Sequence, residues 1–105
     1  MLIVPLDPTR TLLAVGAAVP QVDRETGAQA LDRNTRVPLF DVPLVMPLDE
    51  GQALTMRVSV PENGLADTIG LGSLVKVAGL TLVTDVKNGK AWYVYRGNVL
   101  TVAKG

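Results

Sequence analysis

The chain contains no cysteine and no histidine. The first absence rules out disulfides and thiolate metal sites. The second removes the commonest general base and the commonest transition-metal ligand. Aromatic side chains are scarce, at 4% of residues: one Trp, two Tyr and one Phe. Net charge is zero, with 10 basic against 10 acidic residues, which argues against a generic polyanion binder. No apolar run approaches the roughly 20 residues that a membrane-spanning helix needs. The opening "MLIVPL" is too short for a signal peptide and has no preceding charge. A cytoplasmic protein is the expectation.

What remains is aliphatic. The chain is 48% hydrophobic with a mean hydropathy of +0.30, and Val, Leu and Ala supply that mass. Valine favours strands over helices. A length of 105 residues fits one domain with one core. Apolar surface left over can be covered by a second copy, so a homo-oligomer, dimer or tetramer, built through exposed strand edges is expected. Charge is unevenly spread. Residues 1–53 carry four Arg against seven acids, whereas residues 54–105 carry six Lys or Arg against three. A basic face is therefore available in the second half.

Punctuation by Gly and Pro divides the chain into strands. Pro5 and Pro8 break the first residues, so 1–10 reads as an arm or edge strand. The first clear strand is Thr11–Val22, bent at Gly16. A polar loop follows with a local echo, "DRETG" at 23–27 and "DRNTR" at 32–36, read as two turns at either end of a long hairpin loop. The second strand is Arg36–Met46, interrupted by Pro38 and Pro43. "PLDEG" at 47–51 is a turn. Gln52–Val60 alternates strictly, with Leu54, Met56, Val58 and Val60 on one face and Thr55, Arg57 and Ser59 on the other. After Pro61, one helical turn around Leu65–Ile69 is expected. Leu74–Thr84 is a fourth strand bent at Gly79, and Asn88-Gly89 is a strong hairpin signal. Ala91–Val102 is the fifth, with a bulge at Gly97-Asn98. The expected fold is all-β: a five-stranded oligonucleotide-binding (OB) barrel with at most one short helical turn between strands three and four.

The segment "LGLGSLVKVAGLTL" resembles the fourth-strand region of bacterial single-stranded-DNA-binding proteins, through Leu71, Gly72, Ser73, Val75, Val77 and Gly79. As in that family, it is trailed by a charged loop, "DVKNGKA", and an aromatic strand, "WYVYRGNVL". The segment "DRETGAQALDRNTRVPLFDVPLV" is similar to small actinobacterial plasmid and mobile-element proteins, commonly described as replication or regulatory accessories. These resemblances imply single-stranded-DNA binding. The family's proteins end in an acidic tail that recruits enzymes, whereas this sequence ends at "TVAKG". The resemblance therefore implies DNA coating rather than enzyme recruitment.

Candidate binding residues follow from chemistry. Trp92, Tyr93 and Tyr95 can stack on bases, each stack contributing about 1–3 kcal/mol. Strand periodicity puts Trp92 on one face and the two tyrosines on the other, so they cannot all meet one ligand. Phe40 lies on the second strand, where a core role competes with ligand contact. Arg57 projects outward from the third strand, and its guanidinium can pair with phosphate or stack on a base. Lys87 and Lys90 flank the Asn88-Gly89 turn, although such lysines also serve solubility alone. Arg33 and Arg36 lie near the first long loop, close to Asp23, Glu25 and Asp32. Lys76 and Arg96 extend a basic track.

Catalysis is not expected. Ser59 and Ser73 have no neighbouring lysine in a nucleophile motif, and Asp41, Asp67 and Asp85 lack metal-ligand spacing. No phosphate-loop motif occurs, and neither cofactor nor metal is called for. Two functions remain: sequence-tolerant binding of single-stranded DNA, or a β-barrel module that assembles with protein.

Overall fold

The computed structural model describes residues 1–7, 9–65 and 68–103. Pro8, Asp67 and the centre of the helical turn expected over Leu65–Ile69 lie outside them. Nine strands form one sheet: β1 (Leu2–Pro5), β2 (Leu12–Ala14), β3 (Val19–Pro20), β4 (Leu39–Pro47), β5 (Ala53–Pro61), β6 (Leu74–Ala78), β7 (Thr81–Lys87), β8 (Lys90–Arg96) and β9 (Val99–Val102). The order is β1-β7-β8-β5-β4-β2-β6-β9, with β3 beside β4. The sheet curls into a half-barrel. Every pairing is antiparallel except β5 with β8.

Among the described residues nine strands stand where five were expected: glycine-marked bends break three of the five in two, and β1, in the segment read as an arm or edge strand, is the ninth. The segment 11–22 divides into β2 and β3 around Gly16, whose added Cβ would lie 3.2 Å from the Pro43 ring. The fourth segment divides at Gly79 (φ 70°) into β6 and β7, and the fifth at Gly97-Asn98 into β8 and β9. β6 pairs with β9 while β7 pairs with β8, so the two bends face each other. The second strand starts at Leu39 rather than Arg36, because Arg36 (φ 64°) closes a turn by donating its N–H to the Asp32 carbonyl. The short helical element is a 3₁₀ turn at Glu62–Gly64, ahead of its expected place. Leu65 is extended and bridges to Leu100. Among the described residues no helix is long and apolar enough to cross a membrane.

The core follows from the alternation. Val42, Leu44 and Met46 of β4 and Met56, Val58 and Val60 of β5 point inward with Leu12, Ala14, Val75, Val77, Leu80 and Leu100. Burying each Val or Leu contributes about 1.5–3 kcal/mol before chain entropy is counted. Leu54, on the expected inward face, sits near the strand end and stays partly exposed. The opposite face of β4 and β5 presents Leu39, Asp41 and Pro43 together with Thr55, Arg57 and Ser59.

The sequence echo becomes a structural one. In each turn the aspartate accepts a backbone N–H two residues on, Glu25 N–H to Asp23 Oδ1 and Asn34 N–H to Asp32 Oδ1, both at 2.8 Å. Each turn ends in a left-handed residue, Gly27 or Arg36. The threonines repeat as well: Thr26 Oγ1 accepts the Ala28 N–H and Thr35 Oγ1 the Val37 N–H. Residues 21–38 are thereby a folded double hairpin. At the other side, β7 and β8 are joined by Asn88 (φ 53°) and Gly89 (φ 75°), the two left-handed residues of a type I′ turn.

Candidate nucleic-acid interface

β5 and β8 pair at only two positions, Val58 with Tyr95 and Ser59 with Arg96. Away from that contact the two strands have no mutual ladder, and a cleft of about 1450 Å³ runs along the seam. Thr55, Met56, Arg57 and Ser59 line it from β5, and Tyr93, Val94, Tyr95 and Arg96 from β8. The double hairpin closes one side with Gln21, Arg24, Asp32 and Arg33, while Asp41 of β4 lies on the floor.

Five of the residues singled out in the sequence meet here: Arg33, Arg57, Tyr93, Tyr95 and Arg96. Six do not line the cleft. Arg36 occupies the left-handed closing position of its turn. Phe40 shares strand parity with Val42 and is half-buried toward the core. Lys76 projects from β6, which lies beyond β4 and β2 from the cleft. Lys87 and Lys90 face each other across the β7–β8 turn. Trp92 lies opposite Asp85 and shares parity with Arg96, but sits nearer the β7–β8 turn and is 36% exposed.

Arg24 was missed. The signal for it was the echo: Arg24 in "DRETG" holds the position of Arg33 in "DRNTR", and both reach the cleft. The two tyrosine rings meet edge to face, with centroids 5.9 Å apart and planes at 81°. Tyr95 packs against the core and is fixed, whereas Tyr93 is 67% exposed.

Four arginines thus face two aspartates in the cleft. The acids differ in their surroundings. The Asp32 carboxylate accepts the N–H groups of Thr35 and Asn34, which hold its pKa below the usual value with a further contribution from Arg96. Burial pushes the Asp41 carboxyl up, and the nearby Arg57 charge opposes that shift. Ser59, opposite Asp41 in register, donates its hydroxyl proton to Gln21 Oε1 at 2.6 Å. The arrangement can bind anions and stack on planar rings. Among the described residues no three His, Cys, Asp or Glu side chains converge as a metal site. Comparison with protein-family models, with curated proteins and with solved structures gives no match for this chain.

Proposed function

We propose that the chain binds single-stranded DNA with low sequence specificity, in plasmid, phage or chromosomal replication or repair. The observation that carries this reading is one cleft lined by Arg24, Arg33, Arg57 and Arg96, with the exposed Tyr93 ring reaching its lining from the other face of β8. Guanidinium groups pair with phosphate oxygens, and aromatic faces accept any base. Net neutrality of the chain is no obstacle, because the cleft itself holds more cations than anions.

The proposed fold is an OB-type barrel of five coiled strands, counting β2 with β3, β6 with β7 and β8 with β9 as broken halves. In support, the cleft lies on the outer face of the second and third of these strands. The loop joining strands one to two borders it, as one of the loops beside oligonucleotide sites on such barrels does. The test is fluorescence anisotropy of labelled oligo-dT with micromolar protein at low salt. Binding should fall with a log–log salt slope of about −2 to −3 if all four arginines meet phosphate, at roughly 0.7 per contact. No anisotropy change at low salt would overturn the reading.

An assembly module that binds protein is the second reading. It rests on exposed apolar residues of the paired strands β1 and β7, among them Leu2, Ile3 and Val86. Self-association through β1 would be restricted by its edge. Leu6 donates to the Leu80 carbonyl, so by alternation Pro5 faces outward and offers no N–H. Sedimentation with and without DNA separates the readings: a discrete oligomer indifferent to DNA favours the module.

A further inference from the structure

Asp41 is out of place in an arginine-lined cleft. It stands at the centre of a three-strand platform, with Val19 of β3 on one side and Ser59 of β5 on the other. A carboxylate repels phosphate, so it weakens the very attraction that the arginines supply. Asp32, the other acid, is committed to its own turn through two backbone N–H bonds. Asp41 is not committed. Among the described residues its carboxylate takes no hydrogen bond and forms no ion pair within 4 Å, the ion pair present being that of the N-terminus with Asp85. Ser59 does not serve it, because that hydroxyl proton goes to Gln21. Arg57, opposite Pro43 and diagonal to Asp41 in the ladder, is the nearest opposing charge. A half-buried carboxylate is an acceptor on both oxygens. It is partly desolvated, and a ligand that brings N–H donors would satisfy it.

Resting on the single-stranded-DNA reading, we propose that Asp41 reads a base. Its carboxylate accepts the adjacent ring N–H and exocyclic amino N–H of a guanine, so that one nucleotide position in the cleft prefers guanine. In single strands the Watson–Crick edge is exposed and available for such contacts. Guanine alone among the four DNA bases offers two neighbouring donors on that edge, a match for the two oxygens of a carboxylate. Thymine offers one donor between two acceptors that a carboxylate repels. The preference is local, superimposed on stacking and phosphate contacts that tolerate any sequence.

The experiment compares labelled thymine oligonucleotides of about fifteen residues, carrying a central guanine, hypoxanthine or thymine. Hypoxanthine lacks only the exocyclic amino group. The expected order of affinity is guanine, then hypoxanthine, then thymine, with about tenfold between the extremes. Asp41→Asn and Asp41→Ala should both erase that order and, by removing a repelling charge, tighten binding to the all-thymine strand. Equal affinity of the native protein for all three strands overturns the inference and leaves the broader reading standing. So does an Asp41→Asn protein that binds every strand more tightly but keeps the order, since Asp41 would then act only as a charge. Absence of binding to the all-thymine strand by the native protein strikes the broader reading itself.

Discussion

The meeting of the two chain bends predicts a large and separable effect at Gly79. A Cβ added there would lie 2.3 Å from Asn98 Nδ2 and 2.8 Å from Asn98 Cγ. The residue also has φ 70°, a left-handed conformation that an L side chain adopts at a cost of about 1–2 kcal/mol. Overpacking adds about 1–3 kcal/mol. Gly79→Ala should therefore lose about 2–5 kcal/mol, a substantial part of the stability of a small domain. Two controls separate the terms. Gly27 has φ 72° with nothing within 4 Å of its would-be Cβ, so Gly27→Ala should show the backbone cost alone. Gly70 has neither a positive φ nor a close neighbour, so Gly70→Ala should be neutral or stabilising by up to about 1 kcal/mol. Asn98→Ala in the Gly79→Ala background removes the two closest contacts and should recover most of the overpacking share. Urea unfolding followed by Trp92 fluorescence gives all four values. If Gly79→Ala proved no worse than Gly27→Ala, the packing of Asn98 against the bend would be refuted.

The cleft makes its own prediction in salt titrations. Arg57→Ala or Arg96→Ala should reduce the log–log slope for oligo-dT by about 0.7 each, whereas Lys76→Ala should leave it unchanged. At the close of its turn, Arg36 (φ 64°) stands where its counterpart is Gly27, so Arg36→Gly should relieve strain. After the chain-entropy cost of glycine the gain is at most about 1 kcal/mol, read as a raised thermal midpoint. Asp41 and Asp32 should give opposite pH signatures. Burial raises the folded-state pKa of Asp41 above 3.8, so its ionisation opposes folding as pH rises through that raised value. Asp41→Asn should thus gain stability over the native protein at neutral pH and lose that advantage near pH 3.8. Asp32 has its pKa lowered by the Thr35 and Asn34 N–H groups, so its stabilising share is present above 3.8 and disappears as pH falls below it. Asp32→Asn should therefore be most harmful at neutral pH. Denaturation midpoints measured across pH check both signs.

Local chemistry made much of the framework legible. Period-two alternation over Gln52–Val60 named the buried face of β5 apart from its end, because every second side chain of a strand points the same way. Asn88-Gly89 announced its turn because both residues tolerate positive φ. The twin Asp-x-x-Thr segments announced matched turns because the hydrogen bonds that form them span only a few residues. Gly16, Gly79 and Gly97 were readable as bends. That they would split three strands into separately paired halves was not, because the split depends on which neighbour each half finds.

Tertiary structure decided the site. The seam between β5 and β8 joins Ser59 to Arg96 by a parallel contact across a long stretch of chain, and no local pattern encodes it. It brought Arg24 and Asp41 into the cleft and left Lys76, Lys87 and Lys90 outside. It also divided the aromatic strand, turning Tyr95 toward the core beside Val58, leaving Tyr93 exposed on the cleft lining and Trp92 beyond it. The main extended segments, the inward face of β5 and the tight turns could be read from sequence, because these are set by side-chain alternation and backbone sterics within a few residues. Which charges share one cleft was decided by the curl of the sheet, a property of the whole ladder and of no single segment.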